Sequence, residues 1–218
     1  MAFFWIVLAV VLGLMLPWMM ADVFASALLK LGLQPQTAVL IVAAIFVGSA
    51  INIPVKRVAR TAPVPYDPLA VFGLRGLWTA ERQETVVAVN VGGCLIPACL
   101  ALYEAVRLAS QPAALGAVLV ASAANVWVCY KLARPVQGVG ITMPAFVPAL
   151  VACGLAWLLA PAYATPVAFV AGVAGPLIGA DLMHVREFEG IGSGMVSIGG
   201  AGTFDGILLT GILALYLA

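Results

Sequence analysis

Two aspartates near the C-terminal end are the residues whose type and setting predict chemistry. Asp181 stands in GPLIGADLMHVREFEG and Asp205 in SIGGAGTFDGILLTG, both among apolar residues and glycines. A carboxylate at membrane depth is costly and therefore faces a cavity or a partner. Two close carboxylates in a low dielectric hold one proton between them, and such a pair activates water against a carbonyl group. We therefore predict Asp181 and Asp205 as a catalytic pair.

The composition indicates that membrane helices position these acids. The 218 residues are 64% hydrophobic and 9% charged, with a mean hydropathy of +1.15. A soluble domain carries about 25% charged residues, so a soluble globular fold is excluded. The net charge of +1 gives no bulk electrostatic attraction for nucleic acid. The sequence predicts a lipid bilayer as the partner, with no nucleic acid, no metal and no cofactor.

Apolar segments predict an all-α bundle of about seven transmembrane helices, which together form a single transmembrane domain over residues 1–218. Between the second and third spans, residues 54–84 are predicted to form a cytoplasmic loop. Its middle, LAVFGLRGLW, is too short to span the bilayer and has the composition of an interfacial helix. The predicted spans cover roughly 2–20, 35–53, 85–107, 112–132, 141–160, 163–184 and 194–217.

The loop charges predict the orientation of the chain. With these spans, eight Lys and Arg residues fall on one side of the membrane and two on the other. By the positive-inside rule, the N-terminus is cytoplasmic and the C-terminus is outside. The first group is Lys56, Arg57, Arg60, Arg75, Arg82, Lys131, Arg134 and Arg186, and the second is Lys30 and Arg107.

Seven glycines between residues 190 and 206 predict a break before the last helix. Each costs roughly 1 kcal/mol relative to Ala within a helix, so we expect irregular or re-entrant backbone that lines a cavity. The last helix would then begin near Thr203, with Asp205 in its first turn. There the helix dipole and the free N–H groups favour an acid, so an alternative role for Asp205 is to cap the helix.

Other polar residues and helix breakers are expected to complete a cavity that faces the cytoplasm. Two amide side chains, Asn52 and Asn90, lie within predicted spans beside prolines or glycines. The proline-rich segment RPVQGVGITMPAFVPAL frees main-chain groups that need hydrogen-bond partners. Backbone N–H groups and a hydroxyl in the glycine-rich segment are suited to orient a substrate or to stabilise an oxyanion. The predicted lining residues are Asn52, Asn90, Pro148, Gly200, Gly202 and Thr203.

Several segments resemble a prokaryotic membrane family known only as the domain-of-unknown-function family numbered 1614. These are NIP, VNVGGCLIP, RPVQGVGITMPAFVPAL, GPLIGADL and SIGGAGTFDGILLTGILA. The resemblance covers most of the chain from residue 50 onward. The resemblance implies a multi-pass protein of a bacterial or archaeal cytoplasmic membrane, and it carries no assigned activity.

A weaker likeness is to aspartyl intramembrane proteases and prepilin peptidases. Those proteins carry one helix aspartate, a second in G-x-G-D and, in some members, a Pro-Ala-Leu. By this likeness Asp181 and Asp205 are the two acids, and residues 148–150 are the tripeptide. This sequence departs from the pattern, because two residues separate Gly202 from Asp205 and the tripeptide precedes both acids.

Three functions stay open on the sequence alone. An aspartyl hydrolase would act on a membrane-embedded peptide through Asp181 and Asp205. A small transporter or proton-coupled permease would use the glycine-rich break and its acid to bind a cation or small solute. A non-catalytic scaffold would use the glycines for packing and the acids as helix caps. The hydrolase is our working hypothesis, and the sequence leaves the oligomeric state open.

Overall fold

The computed structural model describes residues 2–59, 84–137, 140–190, 195–200 and 205–218. Over these ranges the chain is mostly helical. Seven helices lie where the apolar segments predicted them, although several boundaries differ by a few residues or more. They are α1 (Ala2–Leu29), α2 (Pro35–Gly48), α3 (Val91–Leu108), α4 (Pro112–Leu132), α5 (Phe146–Leu159), α6 (Pro161–Leu182) and α7 (Gly206–Leu217).

The helices have the character expected of a membrane protein. Among the described residues, α3, α4 and α6 are long and apolar enough to cross a membrane. Helices α2, α5 and α7 are apolar but shorter. The seven-span bundle and its orientation therefore stay predictions, while the apolar helices indicate a lipid environment.

The fold is not all-α as predicted, because it also contains strands. A three-stranded sheet has the order β1-β2-β5, with β1 and β2 antiparallel and β2 and β5 parallel. Strands β3 and β4 form a separate antiparallel hairpin. The segments NIPVKRVA and ETVVAVN are rich in Val and other β-branched residues, which favour strands. The strands are β1 (Asn52–Ala59), β2 (Glu84–Asn90), β3 (Arg134–Val136), β4 (Gly140–Thr142) and β5 (Met195–Ile198).

These strands correct the bounds of four predicted spans. The second predicted span ends early, because α2 stops at Gly48 and β1 follows. The third begins late, because β2 occupies its first residues. The fifth begins late, because β4 occupies its first residues and α5 starts at Phe146. The predicted break before the last helix contains β5. The predicted loop begins within β1 and ends at β2, and the interfacial segment at its middle lies outside the described residues.

Two helices contain π-helical turns. Helix α3 begins as a π-helix over Val91–Leu95, and α6 ends as one over Gly175–Leu182. Such turns within α-helices occur frequently at functional sites. The π-helical segment of α6 carries Asp181.

Two glycines bring the π-helical segment of α6 against α4. A methyl group at Gly175 would lie 2.5 Å from Asn125 Nδ2, and one at Gly179 would overlap the main-chain carbonyl of Val126. Asn125 is fully buried, and its Nδ2 donates to the Ala171 carbonyl at 2.8 Å. The G-x-x-x-G spacing of these two glycines lets α6 and α4 approach closely, and this contact fixes the position of the segment.

We expect Gly179→Ala to lower the free energy of unfolding by about 1–3 kcal/mol, because the added methyl group has no room against α4. Gly154 on α5 is the matched control, since nothing lies within 4 Å of a methyl group built there. Gly154→Ala should be neutral or stabilising by up to about 1 kcal/mol. Unfolding of the purified variants in detergent measures the difference. Equal stability of the two variants would contradict the packing described here.

Candidate functional site

A cavity of about 390 Å³ lies where the sheet, the hairpin and the ends of two helices meet. Its walls come from the start of β1, from β4 and the residue after it, from the π-helical end of α6, from β5 and its turn, and from the start of α7. Its size is within the range of small-molecule sites, about 300–1,000 Å³. Strands and helix ends thus converge on a space that a small ligand or a short stretch of chain can occupy.

Asp181 and Asp205 both line this cavity. Asp181 extends from the π-helical segment of α6, and Asp205 stands directly before α7. Helices α6 and α7 pack closely, since a methyl group at Gly172 would lie 3.1 Å from Gly211 Cα. The placement of Asp181 and Asp205 in one cavity is the geometric condition for any shared acid–base role.

Asp205 caps α7. Its Oδ2 accepts a hydrogen bond from Ile207 N at 2.8 Å, and α7 begins at Gly206. The late start of the last helix and the capping role thus agree with the sequence analysis. A carboxylate has two oxygens with several lone pairs, so a cap made by Oδ2 is compatible with a second role in the cavity.

Asp181 faces the turn that follows β5. Gly199 N lies 3.4 Å from Asp181 Oδ2, at the long end of hydrogen-bond distances. Gly199 has φ +70°, and a methyl group there would lie 2.6 Å from Cys94 Cβ. Only glycine fits this conformation and this contact without strain. The turn is therefore held against α3 with its N–H directed at the acid.

A chain of polar side chains ties the three strands together beside the cavity. Asn52 lines the cavity, and its Oδ1 accepts from Ser197 Oγ at 2.6 Å and from Asn90 Nδ2 at 3.1 Å. Asn90 is fully buried, and its Oδ1 accepts from Gly93 N at 2.7 Å at the start of α3. Asn52 Nδ2 donates to none of the described residues. It is the remaining hydrogen-bonding group of this amide.

The chain's one histidine supports the segment that carries Asp181. His184 is buried, and its Nδ1 lies 2.9 Å from the Ala180 carbonyl and 3.1 Å from the Gly179 carbonyl. Because both neighbours are acceptors, Nδ1 carries the proton. The ring packs on Tyr130 of α4 at a centroid distance of 4.9 Å. Within the described ranges, no group of three metal-ligating side chains comes together.

Glu104, an acid within the apolar helix α3, has a structural setting. It is 1% exposed, and Arg107 Nη1 donates to its two carboxylate oxygens at 2.9 and 3.1 Å. Arg107 also donates to the Leu31 carbonyl at 3.1 Å, which links α3 to the end of α1. This ion pair does not line the cavity.

The other predicted lining residues divide into three groups. Gly200 lines the cavity, and Gly202 and Thr203 lie outside the described residues. Asn90 and Pro148 are described and do not line it. Asn90 lies behind Asn52, and Pro148 is buried within α5.

The sequence analysis did not predict the contribution of Ser197 or of strand β4. Both line the cavity. The available signals were a hydroxyl beside the glycine-rich segment and the spacing of RPVQGVGIT, in which turn residues separate two short apolar runs. That spacing indicates a hairpin, although the prolines and glycines were interpreted only as helix breakers.

We expect Asp205→Ala to lower stability by about 0.5–2 kcal/mol, since it removes the acceptor for Ile207 N. Asp205→Asn keeps a side-chain oxygen at the cap and should stay within about 0.5 kcal/mol of the wild type. Unfolding of the two variants in detergent compares them. If Ala and Asn are equally stable at this position, the carboxylate is not an N-cap.

We expect Asn90→Ala to lower the free energy of unfolding by about 1–3 kcal/mol, because it leaves Gly93 N and the neighbouring Ser49 carbonyl without their hydrogen-bond partner. Ser110→Ala is the control, because this exposed hydroxyl only donates to the Arg107 carbonyl. It should change stability by less than about 0.5 kcal/mol. A loss at Ser110 as large as that at Asn90 would contradict the role given to the amide.

The comparisons with known proteins concern the family and not the chemistry. The chain matches the family described as "Protein of unknown function (DUF1614)" over residues 46–217, a range that includes every residue lining the cavity. No curated protein and no solved structure matches, and the likeness to aspartyl proteases gains no support from the comparisons. With a match over most of its length, the chain belongs to the DUF1614 family of proteins of unknown function.

Proposed function

We propose that this protein is a membrane-embedded hydrolase that uses Asp181 and Asp205 to cleave a carbonyl bond, with a membrane peptide as the substrate. The observation that carries the proposal is that both carboxylates line one cavity, beside an amide donor, in an otherwise apolar molecule. Acids in such surroundings are expected to serve function when they face a common polar space.

Asp205 is the better placed of the two acids to act as the base. The N-terminus of α7 and the N–H of Ile207 stabilise a negative charge on it. Among the described residues, Asp181 receives a hydrogen bond from Gly199 N alone, and this contact is long. We therefore assign Asp205 as the ionised partner and Asp181 as the protonated one.

In the proposed reaction, Asp205 takes a proton from a water molecule as the water oxygen adds to the carbonyl carbon. Asp181 gives its proton to the carbonyl oxygen, and a tetrahedral intermediate forms. The C–N bond then breaks as the nitrogen takes a proton from Asp205 and the intermediate returns a hydroxyl proton to Asp181. One peptide and one water give one carboxylic acid and one amine. Asn52 Nδ2 is the donor suited to stabilise the partial negative charge that develops on the carbonyl oxygen before Asp181 protonates it.

The proposal places the cavity on the cytoplasmic side of the membrane. Four of the basic residues that predict the cytoplasmic side lie near the cavity in the fold. Three belong to elements that line the cavity, and the fourth belongs to β3, which pairs with the lining strand β4. By the positive-inside rule, this end of the molecule faces the cytoplasm. These residues are Lys56 and Arg57 of β1, Arg134 of β3, and Arg186 of the 3₁₀ turn Val185–Gly190.

A second candidate is proton-coupled transport of a small solute. It is favoured by the π-helical segment of α6, because broken helices that carry an acid form the substrate and ion sites of many transporters. In that case Asp181 would bind and release a proton as the segment moves, and no covalent bond would break.

Hydrolysis is tested with the purified protein in liposomes and a mixture of Lys-flanked apolar peptides with a fluorogenic pair. Asp181→Asn and Asp205→Asn should each lower the cleavage rate by at least about 10²-fold, since each removes one partner of the acid–base pair. Glu187→Gln is the matched control, because Glu187 is exposed near the site and does not line the cavity. It should cleave at the wild-type rate.

Cleavage by both Asn variants at the wild-type rate would rule out the hydrolase. Because Asn keeps the cap at residue 205, a loss of cleavage there with unchanged thermal stability separates chemistry from folding. Proton-dependent uptake of a solute by the same liposomes, without any cleaved product, would favour the transporter instead.

A further inference from the structure

The second apolar segment of the chain is longer than the helix it contains. Residues 31–55 carry no charged side chain. Helix α2 has 14 residues, which at 1.5 Å per residue give a length of about 21 Å. The hydrocarbon core of a bilayer is about 30 Å thick. The helix alone is therefore too short to cross it, and the uncharged stretch continues into β1.

The first residues of β1 expose apolar side chains. Ile53 is 44% exposed and Val55 is 59% exposed, and Ile51, directly before the strand, is 49% exposed. They continue the exposed apolar surface of α2, on which Leu40 and Val47 are each 69% exposed. A contiguous exposed apolar surface of this kind marks a site of contact with a membrane or a partner protein.

The opposite face of β1 belongs to the cavity. Neighbouring side chains of a strand point to opposite faces, so Ile53 faces away from the side on which Asn52 lies. Asn52 lines the cavity, and its Oδ1 accepts a hydrogen bond from Ser197 of β5. The start of β1 therefore stands between the cavity and the exposed apolar surface.

A basic residue marks the end of this surface. Lys56 follows Val55, is exposed, and is the first charged residue after Lys30. Apolar residues followed by a lysine are typical of segments that lie in the bilayer interface, where the ammonium group meets lipid phosphates. Lys56 is also one of the basic residues that predict the cytoplasmic side. Hydropathy and charge thus both favour the membrane over a partner protein.

We propose that residues 51–56 lie in the interfacial layer of the cytoplasmic leaflet and bind anionic phospholipid through Lys56. In the described part of the chain, β1 is at the edge of its sheet, so its outer main-chain groups need partners. Water and lipid headgroups supply them in the interfacial layer, whereas the hydrocarbon core would not. Pro54 suits such an edge, because it has no N–H that needs a partner.

The depth of the strand is tested with the full-length protein in phosphatidylcholine nanodiscs, with a fluorescent amino acid in place of Val55. A nitroxide near the headgroup end of the acyl chain should quench this fluorophore more than one near the methyl end, and iodide in water should quench it little. If this variant does not fold, the fluorophore is placed at Ile53.

Two further positions calibrate the depth. Leu102 is 66% exposed on α3, well inside both ends of that helix, so a fluorophore there should be quenched more by the nitroxide near the methyl end. Glu187 is exposed, and a fluorophore in its place should be quenched by iodide.

Lipid selectivity is measured at position 55 with the nitroxide on either phosphatidylglycerol or phosphatidylcholine, in an equimolar mixture of the two. Quenching should correspond to an enrichment of phosphatidylglycerol by about fivefold, the ratio that one lysine at a charged surface supports. Lys56→Gln should abolish the enrichment. Lys131→Gln is the matched control, since Lys131 is an exposed lysine at the end of α4, and it should keep the enrichment.

Three results at position 55 would overturn the placement of the strand. Iodide quenching as strong as at position 187 would place it in water, and stronger quenching from the methyl end of the lipid would place it in the hydrocarbon core. Protection from lipid and iodide alike would show that protein covers the surface. Equal quenching by the two lipids, or unchanged enrichment in Lys56→Gln, would overturn the binding of anionic lipid.

Discussion

Free main-chain N–H groups at strand-to-helix transitions are the constraint on which the architecture around the cavity depends. Each helix begins with N–H groups that lack a helical partner, and an apolar surrounding makes them costly. Asn90 meets this need at the start of α3, with a 2.7 Å bond to Gly93 N, and Asp205 meets it at the start of α7, with a 2.8 Å bond to Ile207 N. These two caps allow a sheet to exist within a mostly helical chain.

Asp181 is positioned by helix packing, whereas Asp205 is positioned by its capping hydrogen bond. The π-helical end of α6 is pressed against α4 through Gly175 and Gly179. Asn125 binds the Ala171 carbonyl, one turn before this segment, and His184 binds the Ala180 carbonyl within it. Asp181 therefore stands on a segment held from both ends. Since Asp205 is fixed by its cap, the relation between the two carboxylates is set by the scaffold, which is the preorganisation that an acid–base site requires.

The sequence was sufficient to predict the helices and the late start of α7, because hydropathy and glycine content act locally, whereas the pairing of the two acids stays a prediction. The strands were missed, since ETVVAVN is as apolar as the helix that follows it and its β-branched residues were the only distinguishing signal. The role of Asn52 as a cavity residue was predicted, whereas its bond to Ser197 was not. That bond joins residues 145 positions apart, and no local pattern encodes such a contact. Pro148 was interpreted as a helix breaker, but it lies in the first turn of α5, where a helix tolerates proline.

The separation of the Asp181 and Asp205 carboxylates, measured in an experimental structure of the protein in lipid, tests the central claim most directly. The account predicts about 4–6 Å between the nearest oxygens, bridged by water, because only at short range do two carboxylates share a proton. A separation beyond roughly 10 Å, about the Debye length at 0.1 M salt, would contradict the account and leave the two acids with unrelated roles.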